Sequence, residues 1–163
     1  MRSTKIVLFI ASVLLTAGIV SSCNGRGGGR SSKITFDSIV VDRDIPLLLS
    51  NDTTLPHADV NVSFKYPVRF RDSESLERLQ QIFKGTFFGN VTYDSMSPRD
   101  AMEQYLNDYT DRYRSVSNMY YEDKLRLDGK PPAWYWYYMN TSNKILFQND
   151  SILSYSVEYS DYE

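Results

Sequence analysis

The sequence predicts an α+β domain: an antiparallel sheet with two helices packed on one face. Three observations lead there. Val60, Val62, Phe64 and Tyr66 alternate with Asn61, Ser63 and Lys65, the period of a half-buried strand. Ser97 and Pro98 open a segment in which Ala101, Met102, Tyr105, Tyr109 and Tyr113 recur at helical spacing. The last third of the chain returns to aromatic and β-branched runs. Strands, then helices, then strands again place the helices on one side of a sheet.

The chain opens with a segment that does not belong to this domain. Met1-Arg-Ser-Thr-Lys5 is basic, Ile6 to Val20 is apolar, and Val20-Ser21-Ser22-Cys23 closes with small residues before the single cysteine. This is the order of a bacterial lipoprotein signal, cut before Cys23, which then carries acyl chains. The apolar run of fifteen residues contains Ser12, Thr16 and Gly18, short of the roughly twenty mainly apolar residues of a membrane span. Lipid on Cys23 makes the membrane a partner through anchoring, at about 0.8 kcal/mol per buried CH₂. Asn24 follows the cysteine and no acidic run comes after it, which favours the periplasmic face of the outer membrane.

The expected organisation is a signal peptide over 1–22, a tether over 23–33 and the domain over 34–163. Asn24 to Lys33 holds four glycines and no apolar residue, as a flexible tether should. Removal of the signal leaves 141 of 163 residues, enough for one domain. The mature balance of 16 basic against 20 acidic residues, with no basic patch interleaved with aromatics, argues against nucleic acid. With Cys23 acylated, no disulfide is available, and the 14% of aromatic residues must supply the core.

Within the domain, Ile34–Val41 reads as the first strand and Asp42–Pro56 as a loop. Val60–Tyr66 is the second strand, ended by Pro67 or placed by it at an edge. A helix begins near Asp72-Ser73, carries Leu76, Leu79, Ile82 and Phe83, and fades at Gly85 or Gly89. The second helix has Ser97 as N-cap and Asp100 in its first turn. After the break at Gly129-Lys130-Pro131-Pro132, strands are expected at Ala133–Asn140, Lys144–Gln148 and Ile152–Tyr159, with Asn149-Asp150 as a tight turn.

Tyr66-Pro67, the helix with Leu79 and Phe83, and the Ser97-Pro98 helix with Ala101 and Tyr105 come in a distinctive order. Trp134 and Trp136 follow, then Ile152-Leu153-Ser154 leading to Val157-Glu158-Tyr159. This order resembles the RsiV/PdaC-type extracytoplasmic domain, a domain of unknown function in envelope lipoproteins, over about residues 58–160. The same module occurs in the outer part of a lysozyme-sensing anti-sigma factor and beside a peptidoglycan deacetylase domain. The resemblance therefore implies a non-enzymatic module that binds a glycan such as peptidoglycan, or a protein such as a lysozyme-like hydrolase. Family members usually continue into a second RsiV-like domain, whereas this chain stops at Asp161-Tyr162-Glu163. It reads either as an N-terminal piece of a longer protein or as a short form.

No catalytic set is evident. His57, the sole histidine, follows Pro56 in a loop, whereas zinc hydrolases cluster several ligands. No metal site and no cofactor are expected, and no nucleophile elbow or phosphate loop occurs. The pairs Asp42/Asp44, Asp108/Asp111 and Glu122/Asp123 could be read as glycosidase carboxylates. Asp108 and Asp111, however, fall on the polar side of an amphipathic helix, where a solvated face is the simpler reading. An enzyme modifying cell-wall polysaccharide, or its accessory domain, is the alternative function.

The candidate ligand-binding residues are Trp134, Trp136 and Tyr138, which a strand would bring to one face, with Tyr135 and Tyr137 on the other. Flat aromatics with polar edges suit a sugar chain or a protein surface, while coverage of both faces is the competing expectation. Ser38, Thr53, Ser95 and Ser151 each follow Asp and precede an aliphatic residue, methionine or threonine, a pattern like the O-glycosylation motif of some Gram-negative bacteria.

Overall fold

The structure, a computed structural model, describes residues 33–50, 52–130 and 132–162. The signal peptide, Cys23 and all of the tether except Lys33 lie outside the described residues.

The fold is α+β. Strands β1 (Thr35–Pro46), β2 (His57–Arg69), β3 (Tyr137–Gln148) and β4 (Leu153–Tyr162) form a four-stranded sheet in the order β1-β2-β3-β4. Between β2 and β3 run the helices α1 (Ser73–Phe88), α2 (Pro98–Ser115) and α3 (Ser117–Arg126). The pairings β1–β2 and β3–β4 are antiparallel, but β2 and β3 run parallel. That one parallel pair follows from the helical crossover, which carries the chain back to the end of the sheet where β2 began.

Local chemistry sets the helix ends. The Asp72 carboxylate accepts from the Ser75 N–H at 2.8 Å, capping α1. Gly89 closes α1 with φ of 65°, a left-handed conformation that costs glycine nothing, and its N–H donates to Gly85 O. The Ser97 hydroxyl accepts from the Asp100 N–H and Pro98 occupies the first turn of α2, as expected.

The core lies between the helices and one face of the sheet. Ala58, Val60, Val62 and Phe64 of β2 are buried there. The Phe64 ring lies 4.5 Å from Phe87 and 5.0 Å from Phe88, and Phe83 stacks on Tyr155 at 4.4 Å. Lys84, although buried, spans out to donate to Asp94 O at 2.6 Å and Met96 O at 2.5 Å, tying the loop between α1 and α2.

Four local expectations need correction. The first strand continues through Asp42–Pro46, because Asp42 to Pro46 find backbone partners at Asn61 to His57. The two strands expected at 133–140 and 144–148 are one continuous β3 beginning at Tyr137. Ala133–Tyr135 is instead a 3-10 turn, because Tyr113 donates its hydroxyl to Tyr135 O at 2.8 Å and the Tyr135 hydroxyl donates to Asp123. Those two bonds draw Tyr135 between α2 and α3 and break the alternation. Helix α3, not expected from the sequence, follows α2 directly without a side-chain cap and buries only Tyr120.

Among the described residues, no helix is long and apolar enough to cross a membrane.

Candidate functional site

The predicted aromatic face is only partly assembled. Trp136 and Tyr138 stay on the sheet face away from the helices, since Tyr137 between them packs its ring 4.9 Å from Tyr113. Trp134 sits on the 3-10 turn, so strand alternation does not bring it into register with them. Trp134 and Trp136 are 55% and 37% exposed, so the helices of this domain leave both partly open. The structure adds a residue the sequence did not single out. Tyr162 of β4 pairs with Tyr138 across the ladder, its ring 6.2 Å away, and is 71% exposed. The sequence alone could not have placed it, because a two-residue turn at Asn149-Asp150 would set Tyr138 opposite Asp161. The strands instead turn through four residues, Asn149–Ile152, and shift register between Ile145 and Phe147.

Beyond this aromatic rim the same sheet face is polar. Asp59, Asn61 and Ser63 of β2 lie beside Tyr138, Asn140 and Ser142 of β3, and Ser160 and Glu158 of β4 follow. Lys144 and Glu158 form an exposed ion pair at 3.0 Å. The face thus offers carboxamides, hydroxyls and carboxylates next to flat rings.

On the opposite face, at the same end of β3 and β4, a cleft of about 430 Å³ opens between the end of α1, the turn Val91–Tyr93, α2 and β4. Tyr93, Tyr105, Tyr109, Tyr159, Arg112 and Asp161 line it. The Tyr93 hydroxyl donates to the Asp108 carboxylate at 2.8 Å, whose second oxygen accepts from Gln104 at 2.7 Å. Tyr105 and Tyr159 meet hydroxyl to hydroxyl at 2.7 Å. Burial, and then the Asp108 carboxylate, push the Tyr93 phenol up to about 12. Burial and the Tyr159 hydroxyl likewise raise Tyr105, so both phenols remain protonated donors at neutral pH.

Asp108 therefore does more than solvate a helix face: it orients Tyr93 from inside the cleft, while Asp111 is exposed. The sequence assigned Tyr105 and Tyr109 to an apolar stripe and left their hydroxyls unconsidered. Tyrosine in place of leucine at such positions signals polar atoms in need of partners.

The other singled-out residues are scattered. His57 begins β2, its Nδ1 3.3 Å from Leu55 O. Asp42 and Asp44 are exposed on β1, and Asp123 is held by Tyr135 and Arg126. Among the described residues, no three His, Cys, Asp or Glu side chains converge in a way that could hold a metal ion. Ser38 is exposed on β1, and Thr53, Ser95 and Ser151 are exposed in turns.

This is an α+β domain with an aromatic-rimmed polar sheet face and a tyrosine-lined cleft behind it. No family model matches the chain, and no curated protein matches it. Among solved structures it is similar to a member of the DUF3298 family from Bacteroides fragilis, with 28% identity and a TM-score of 0.73. That similarity covers 80% of this chain and 50% of the relative, so the chain spans about half of the relative's length.

Proposed function

We propose that this protein is a lipid-anchored component of the cell envelope whose domain binds a glycan, with peptidoglycan strands the favoured ligand. The observation that carries this is the rim of Trp136, Tyr138 and Tyr162 beside the polar rows of the sheet. Sugar rings present apolar faces that lie against aromatic rings, and their hydroxyls bond to carboxamides and carboxylates. Large exposed aromatics in a group mark a binding surface rather than a solvated one. The resemblance to the RsiV/PdaC-type domain supports an extracytoplasmic binding module, and the similarity to a DUF3298 structure supports the fold.

The test is titration of the intact protein with soluble peptidoglycan strands, followed by tryptophan fluorescence. Trp136→Ala and Tyr162→Ala should each weaken binding while leaving circular dichroism unchanged. Unchanged affinity in both variants would sink the glycan reading. Binding of a lysozyme-like hydrolase, lost in the same variants while glycan binding is absent, would establish the protein-ligand reading instead. Anchoring is tested separately: Cys23→Ser should abolish palmitate incorporation and release the protein from membranes. Intact mass reads out sugar on Ser38, Thr53, Ser95 and Ser151, and each exposed site replaced by alanine should remove one increment.

A further inference from the structure

The cleft on the helix face is separate from the aromatic rim and carries a charge pattern of its own. Arg112 and Asp161 both line it. The Asp161 carboxylate makes no hydrogen bond or ion pair with another described residue, and the Arg112 guanidinium lies only over the Tyr109 ring, 5.9 Å from its centre. The same cleft holds phenols whose positions are set: Tyr93 by Asp108, and Tyr105 by Tyr159. The volume of about 430 Å³ falls in the range of small-ligand sites.

We infer that this cleft binds a zwitterionic peptide end, with the carboxylate on Arg112 and the ammonium on Asp161. A guanidinium fork matches a carboxylate in two parallel bonds, and a carboxylate accepts well from an ammonium group. The Tyr159 ring, two residues from Asp161 on β4, adds cation–aromatic attraction near the ammonium. Arg112 is the cation of the cleft and Asp161 its carboxylate without a protein partner, while the second carboxylate, Asp108, already accepts from Tyr93 and Gln104. A ligand with a single charge leaves the opposite protein charge unanswered. The inference stands on this cleft alone and does not rest on the glycan reading.

The experiment is calorimetric titration of the full-length protein with alanyl-alanine, its N-acetyl form and its C-terminal amide. The free dipeptide should bind, and either cap should weaken binding about tenfold or more. Arg112→Gln should bind the free and amidated forms equally, and Asp161→Asn the free and acetylated forms equally. Both residues are exposed, so neither substitution should cost the fold. Trp136→Ala should leave dipeptide binding unchanged, which separates this site from the rim. Absence of dipeptide binding would overturn the inference, as would equal affinity for the three forms in the unsubstituted protein.

Discussion

The carboxamide of Asn143 on β3 closes a two-way bond with the backbone of Lys65 on β2. Its Oδ1 accepts from the Lys65 N–H at 2.7 Å and its Nδ2 donates to the Lys65 O at 2.8 Å. The parallel ladder itself ends at Ser63 and Ser142, so this buried side chain continues the pairing where the backbones part.

Asn143→Leu should therefore destabilise the fold by about 2–3 kcal/mol, because it leaves a backbone donor and acceptor unpaired. A lowered midpoint of urea unfolding with an unchanged slope would register this. A shift smaller than the scatter between surface variants would show that water replaces the carboxamide.

Lys84→Met removes both bonds to the loop carbonyls of Asp94 and Met96. Burial holds the Lys84 ammonium below the usual lysine range, and the two carbonyl bonds offset that loss of solvation. The expected loss is about 1–3 kcal/mol, with faster amide exchange over residues 94–96. Unaltered exchange there would assign the lysine a packing role alone.

Three buried tyrosines should titrate late. Burial first, with hydrogen bonds or neighbouring phenols after it, raises Tyr93, Tyr105 and Tyr113 above their unfolded values. A raised phenol contributes stability that is whole below the unfolded pKa of about 10 and is lost as pH climbs through the folded pKa. For Tyr93 that window runs up to about 12. Tyrosinate absorbance from Tyr93, Tyr105 and Tyr113 should appear late and cooperatively with unfolding. A single titration near the ordinary value, without loss of structure, would contradict the buried set.

Both tryptophans of the chain, Trp134 and Trp136, are partly open to solvent. Acrylamide should quench the native emission efficiently, and Trp134→Phe and Trp136→Phe should each retain that sensitivity in the remaining ring. A ligand held on the rim should protect Trp136 more than Trp134, because only Trp136 shares the face of Tyr138. Equal protection would place the ligand across the 3-10 turn.

Much of this molecule is readable from local pattern. The alternation of Val60 to Tyr66 and the caps at Asp72 and Ser97 each depend on neighbours in sequence, and each forms, whereas the β3–β4 turn takes four residues, Asn149–Ile152, rather than the tight pair Asn149-Asp150. The aromatic residues of the rim were also visible, but not their arrangement. Tyr135 leaves the strand because Tyr113 and Asp123, twenty-two and twelve residues away, bond to it.

The sequence by itself determined the α+β class, the starts of α1 and α2, the core-facing residues of β2 and the signal-like N-terminus. Only the tertiary structure decided the parallel pairing of β2 with β3, the turn under Trp134, and the cleft. Alternation and capping are energies between near neighbours, written in a few adjacent residues. Strand order and the meeting of Tyr93, Tyr105 and Tyr159 depend on how distant segments pack against one shared core, which no local pattern encodes.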